Sequence, residues 1–171
     1  MTLVTALPLT RMLQGVQGDI SRQSAAQTES VALGATPFPQ FGIAGKIVGN
    51  LFIPPTATAD PIYGLLVRTL PTQGANASDP IGTGVPPTSG VATVLTRGYA
   101  IVNVQAGSGS VAPGSAVYVR FQTPSGNVVI GGIEGATSAN NYVLTYARFT
   151  TGVVDANGNA EIFIDNVAAH L

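Results

Sequence analysis

The sequence predicts an all-β protein: an antiparallel β-sandwich or barrel, jelly-roll-like, with an extended N-terminal arm. Its second half alternates apolar and polar residues in short runs that are separated by turn residues. No segment has the periodicity of a helix of three or more turns. Glycine and proline are frequent, at 21 and 12 of 171 residues, but an apolar fraction of 45% indicates a folded chain.

Residues 1–45 show no sustained period and are predicted to form the arm, followed by a single β-domain over residues 46–171. A short helix over residues 14–27 and a frayed terminus are the alternatives for part of the arm. A free terminus rarely carries so many apolar side chains, so the arm is expected to lie on an apolar surface. The candidate contact residues of the arm are Leu3, Val4, Leu7, Leu9, Met12 and Leu13.

The first part of the β-domain is predicted to hold short strands. Closely spaced glycine and proline limit the strands between residues 38 and 55 to three to six residues. Residues 62–70 read as another strand. Residues 71–90 are rich in glycine and proline and are predicted to form a long loop, a length that is usually functional in a compact domain.

Four further strands are predicted after this loop, within residues 97–105, 115–123, 140–154 and 160–167. Strict alternation places Tyr142, Leu144 and Tyr146 on one face of the third of these strands, with Val143 and Phe149 on the other. Both faces are fairly apolar, which predicts a sheet covered twice, in a sandwich, a barrel or a subunit interface. Tyr118, Tyr142 and Tyr146 are therefore candidate contacts with other subunits.

The charge pattern argues against two classes of partner. Only 9% of residues are charged, the net charge is −1, and the seven basic residues are scattered, so we do not expect nucleic acid as a partner. Neither an export signal nor an apolar run near 18 residues is visible, so we expect no membrane partner and synthesis in a cytoplasm. A surface with so few charges favours burial against other subunits.

The sequence offers little for catalysis or cofactor binding. Cysteine is absent and His170 is the single histidine, so thiol chemistry is excluded and a metal site is not expected. Residues 107–112 fit the dinucleotide pattern G-x-G-x-x-A, but Pro113 and a strand follow where a helix is needed. We therefore expect no catalytic residues, no cofactor and no metal.

Two acidic motifs have simpler explanations. Residues 155–159 imitate the start of a calcium loop without its later ligands, and Asn157-Gly158 predicts a hairpin turn instead. Glu161 and Asp165 share one face of the last strand, where a solvated sheet edge is expected. A glycosidase pair of carboxylates stays open, although nothing selects two acids over the others.

The C-terminal half resembles the capsid cement, or decoration, proteins of tailed bacteriophages. The resemblance covers residues 97–165 and rests on the Pro113-Gly114 turn leading into residues 117–119, on residues 149–152, on Gly158 and on residues 160–164. It implies a small all-β protein that binds the major capsid protein on the outer surface of the assembled icosahedral head. It also implies self-association, with a trimer favoured over a dimer, and no catalytic residues.

The resemblance therefore predicts a virion protein, assembled in the host cytoplasm, that cements adjacent capsomers and stabilises the capsid, with the arm as its anchor. A receptor- or glycan-binding virion module, with the loop at residues 71–90 as its contact surface, is the alternative. A glycan hydrolase is the third hypothesis.

Overall fold

In a computed structural model, residues 15–68, 84–105, 111–122, 128–152 and 154–166 are described. Within them lie nine strands and one short 3-10 turn, Gln23–Ala25. The strands are β1 (Gln27–Leu33), β2 (Ala44–Val48), β3 (Leu51–Ile53), β4 (Gly64–Val67), β5 (Val91–Asn103), β6 (Ala116–Arg120), β7 (Ile133–Glu134), β8 (Asn141–Phe149) and β9 (Asn159–Asp165).

The long strand β5 belongs to two groups of strands. Its first half pairs with β1 and β4, and the order β1-β3-β2-β4-β5 closes into a five-stranded barrel through the β1–β5 pairing. Its second half pairs with β9, and the sheet continues through β8, β6 and β7. Among the named strands only β1 and β3 pair in parallel. The predicted all-β, largely antiparallel barrel is confirmed.

A single bridge joins the far end of this second group back to β5. Val104 pairs with Ile133, and the backbone N–H of Gln105 donates to the carbonyl of Ile133 at 2.9 Å. Closure of this kind pairs backbone groups that a free sheet edge would expose.

Two apolar cores lie on opposite faces of β4. Leu66 points into the barrel with Phe52 and Phe38, whose rings stack with centroids 4.9 Å apart. Leu65 and Val67 point away, into a larger core between the barrel and the β6–β9 strands. All four residues of β4 are buried, so this strand is covered on both faces.

The segment before β1 runs along the second half of β5. The N–H of Gly18 donates to Ile101 at 2.7 Å, and the N–H of Ser21 donates to Tyr99 at 3.1 Å. Of the helix considered for residues 14–27, only the 3-10 turn Gln23–Ala25 is present. Backbone groups of residues 18–21 form hydrogen bonds with β5 instead of bonds within a helix. Residues 15–45 of the predicted arm thus contribute a strand and part of the barrel core, and residue 45 lies inside β2.

The prediction for the two faces of β8 is wrong at Phe149. The register shifts where β8 pairs with Ala116 and Val117 of β6, so Phe149 joins Leu144 in the larger core. The shift places three extra residues on β8, and an odd number of extra residues reverses the alternation, which strict period-2 counting cannot foresee.

The predicted hairpin turn between β8 and β9 is confirmed. Gly158 has φ of +78°, and the carboxylate of Asp155 accepts the N–H groups of Asn157 and Asn159 at 2.8 and 2.9 Å. The expectation of a solvated edge is wrong for β9, because it lies between β5 and β8.

Candidate interaction surfaces

The tyrosines singled out from the sequence are half-buried, and two of them are fixed within the chain. The hydroxyl of Tyr142 donates to the carbonyl of Asp60 at 2.9 Å, and that of Tyr146 donates to the carbonyl of Ile62 at 2.5 Å. Burial raises the pKa of both hydroxyls. Tyr118 lies in register with Val143 and Glu134. A role for these side chains in partner contacts stays a prediction.

The other predicted contact residues cannot be placed. Leu3, Val4, Leu7, Leu9, Met12 and Leu13 all lie outside the described residues. Of the predicted loop at residues 71–90, the structure describes residues 84–90. Val85 in this part is 77% exposed.

A stack of arginine and aromatic side chains covers the outer face of β5, β9 and β8. Tyr99, Phe163 and Arg148 lie in register on the three strands, and the two rings are 4.8 Å apart. The guanidinium of Arg22 lies 3.9 Å from the ring centre of Tyr99, and that of Arg148 lies 4.7 Å from Phe163. We call Arg22, Arg97, Tyr99, Arg148 and Phe163 the arginine–aromatic face.

This face holds three of the seven basic residues of the chain and carries a small positive excess. Arg22 pairs with Glu161 at 2.8 Å, and Arg97 pairs with Asp165 at 3.1 Å. The exposed Arg148 has no carboxylate partner among the described residues. Arginine and tyrosine held in this way are the residue types that dominate binding energy at protein interfaces.

Hydrogen bonds hold Glu161 in its charged form on the same side of β9 as Phe163. Burial tends to raise its pKa, but donors from Ser21, Thr150 and Arg22 outweigh burial and hold the pKa below its ordinary value. The hydroxyls of Ser21 and Thr150 donate at 2.7 and 2.5 Å. The carboxylate therefore ties the segment before β1 to β8 and β9.

Stability is expected to depend on the charge of Glu161. Because its pKa is lower in the folded state, its stabilising contribution is present above the unfolded-state pKa and is lost as pH falls through the folded-state pKa. Glu161→Gln should flatten the dependence of the free energy of unfolding on pH as the pH falls below the ordinary pKa of a glutamate carboxyl. Denaturant unfolding at several pH values measures this. Thr150→Ala should shift the profile partway, whereas the exposed Thr145→Ala should follow the wild type.

A second surface, at one end of the barrel, is apolar. Val91, Ala32, Leu51 and Val48 are successive register partners on β5, β1, β3 and β2, so their side chains share one face. Val91, Leu51 and Val48 are 65%, 44% and 53% exposed, and Ala32 is exposed too. We call these four residues the apolar row.

A proline-lined cavity of about 350 Å³ lies beyond the ends of β1 and β3. Its walls include Pro37, Pro39, Pro54, Pro55 and Ile130. Such a wall suits an apolar side chain, but it offers few polar groups that could orient a substrate.

The carboxylates of the described residues have structural partners. Asp60 pairs with Lys46, and the buried Glu134 pairs with Arg120. Glu161 and Asp165, which the sequence leaves open as a glycosidase pair, are each held by an arginine. The described part of the chain contains no group of three histidine, cysteine or acidic residues that could hold a metal ion. None of its segments forms a helix with the length and hydropathy of a membrane span.

Sequence reasoning missed the arginine–aromatic face, although part of its signal was present. Arg97 and Tyr99 are two apart on β5, and Phe163 and Asp165 are two apart on β9, so each pair lies on one face of its strand. Only the register between β5, β9 and β8 shows that the pairs meet.

Comparison with known proteins places this architecture among phage capsid components. A family model described as XM1 gp53 minor capsid protein matches residues 5–164. A chain of the solved structure titled "The capsid of Myoviridae Phage XM1" superposes with a TM-score of 0.66 at 19% identity, covering 91% of this chain and 96% of that chain. At that identity the match shows a shared fold. No curated protein matches this sequence.

Proposed function

Because this chain belongs to the XM1 gp53 minor capsid protein family, we propose that it is a capsid cement protein of a phage virion. It binds the major capsid protein on the outer surface of the assembled icosahedral head and joins adjacent capsomers. It acts through contact area and performs no reaction. Copies associate with one another, as a trimer in preference to a dimer, after synthesis in the host cytoplasm.

The observation that carries this proposal is the family match over residues 5–164, which spans the nine described strands except for Asp165, the last residue of β9. The arginine–aromatic face adds a physical basis for binding to the shell. The arginine–aromatic face supplies stacked, ordered side chains, and ordering them before binding lowers the entropy lost on docking. We assign the shell contact to this face.

Stabilisation of the head follows from added contacts that must break before capsomers separate. Such contacts raise the barrier to disassembly and therefore extend the lifetime of the shell. Several linked contacts that engage together can strengthen attachment by roughly 10² to 10⁴ over one contact. Individually modest surfaces are sufficient under these conditions.

A binding experiment with undecorated heads tests the shell contact. Arg148→Ala removes an exposed guanidinium from the arginine–aromatic face and is expected to weaken binding at least about tenfold, the size of an ordinary interface hot spot. Co-sedimentation of the purified protein with heads measures the affinity, and a thermal unfolding curve confirms the fold of the variant.

Thr58→Ala, in an exposed turn away from the strands, is the matched control and should bind as the wild type does. Wild-type protein that does not bind heads would overturn the cement role. Equal binding by Arg148→Ala and wild type would remove the arginine–aromatic face from the interface.

The N-terminal segment is tested by a deletion that ends at residue 14. Residues 18–21 pair with β5, and Arg22 holds Glu161, so a cut at residue 30 would damage the fold as well as remove the arm. Loss of residues 1–14 is expected to leave the melting temperature within a few degrees and to reduce decoration of heads strongly. Undiminished decoration would exclude an anchoring role.

A further inference from the structure

We propose that residues 7–13 of one copy dock on the apolar row of a neighbouring copy, so that the N-terminal segments link copies to each other. The inference rests on the proposed function, since neighbouring copies meet on a covered shell, but its test needs no capsid. Its basis is the apolar row, the sequence of the segment and the place where the segment joins the fold.

The apolar row needs a cover that the described part of its own chain does not supply. Val91, Leu51 and Val48 are 44% to 65% exposed, and together with the exposed Ala32 they form one line across four adjacent strands. Three spacings between neighbouring strands span about 14 Å. Contiguous apolar side chains of this kind mark interaction sites on soluble proteins.

The N-terminal segment has matching chemistry and length. Between residues 7 and 13 it carries Leu7, Leu9, Met12 and Leu13 with a single charge, Arg11. Pro8 opposes a regular helix through this stretch, and in an extended chain Leu7 and Leu9 lie on the same side. About five extended residues have the length of the row.

The length of the N-terminal segment determines whether it can contact the apolar row of its own copy or only that of a neighbouring copy. Gly15 lies against Ile101, near the far end of β5, and its carbonyl accepts a hydrogen bond from Asn159 at 3.1 Å. Val91 is ten residues away along the same strand, roughly 30 Å. Leu9 is six residues from Gly15 and can extend only about 20 Å. Leu9, Met12 and Leu13 therefore fall about 10 Å or more short of Val91 in the row of their own copy.

Cysteine cross-linking tests this contact directly, because the natural chain has no cysteine. One chain carries Leu9→Cys and a second, of different tagged size, carries Leu51→Cys. The two are mixed in concentrated solution, oxidised mildly and separated on a non-reducing gel. A heterodimer of the two tagged chains is the expected product.

Val143→Cys provides the matched control, since Val143 on β8 is 44% exposed, as Leu51 is. The pairing of Leu9→Cys with Val143→Cys should give little heterodimer. Introducing Val48→Asp and Val91→Asp into the Leu51→Cys chain should lower its heterodimer yield at least about tenfold, because a charge would then enter an apolar contact.

Equal yields with Leu51→Cys and Val143→Cys, or no heterodimer with either, would overturn the proposal. These results do not depend on heads, so a failure of this contact and a failure of the cement role are separately visible. Cross-linking of Leu9→Cys to Leu51→Cys without head binding would retain the link between copies and reject the cement role.

Discussion

Replacing Glu134 by alanine is expected to destabilise the protein by about 3–5 kcal/mol, the usual effect of removing one partner from a buried ion pair. Glu134 is 2% exposed, and its carboxylate accepts from the Nε of Arg120 and from the side-chain amide of Asn141, both at 2.5 Å. The variant would leave the Arg120 charge buried and unpaired at the junction of β6, β7 and β8.

The matched control is the ion pair of Arg97 and Asp165, whose side chains are 56% and 35% exposed. Asp165→Ala is expected to change stability by about 0–1 kcal/mol, because water solvates both charges. Urea unfolding of the two variants gives the comparison. Similar decreases in the free energy of unfolding for Glu134→Ala and Asp165→Ala would contradict the expectation that burial makes the Glu134 ion pair more important for stability.

The second large effect is expected for Gly131→Ala, at the point where the barrel meets the β6–β9 strands. Gly131 has φ of +80°, its N–H donates to Arg120 at 2.7 Å, and its carbonyl accepts from Ala44 at 2.9 Å. A Cβ at this position would lie 2.4 Å from Ile43 and 2.5 Å from the carbonyl oxygen of Ala44. Backbone strain together with overpacking predicts a loss of about 2–5 kcal/mol.

Gly114→Ala separates these two causes. Gly114 has a similar φ of +82°, but a Cβ there would meet no atom within 4 Å. The control should therefore lose only the strain of the left-handed backbone, about 1–2 kcal/mol. A smaller loss for Gly131→Ala than for Gly114→Ala would contradict the close contact between β2 and the segment before β7.

The strand content of the fold could be predicted because turn residues and period-2 alternation are local signals. The alternation in β6 places Val117 and Val119 on one face of the strand, and in the structure both lie in the larger core. The closure of the barrel could not be predicted, because it depends on the pairing of β1 with β5, whose partners are 59 to 70 residues apart in the chain. A bulge in β8 likewise reverses the side of Phe149 without a glycine or proline to mark it.

The candidate surfaces show the same division between local and long-range information. Low charge and an apolar N-terminal segment indicate a protein that works through contact, and these are properties of composition. The arginine–aromatic face and the apolar row each require strand register, since their members come from at least three elements. Tyr142 and Tyr146 are candidate contact residues from the sequence, and the structure adds that their hydroxyls donate to the carbonyls of Asp60 and Ile62.

Electron cryomicroscopy of intact virions most directly tests the claim that this chain reinforces the head by covering it. We expect many ordered copies on the outer surface of the shell, each with its arginine–aromatic face against the major capsid protein and bridging adjacent capsomers. Copies confined to the tail or to the inside of the shell, or isolated copies that each touch a single capsomer, would contradict the account.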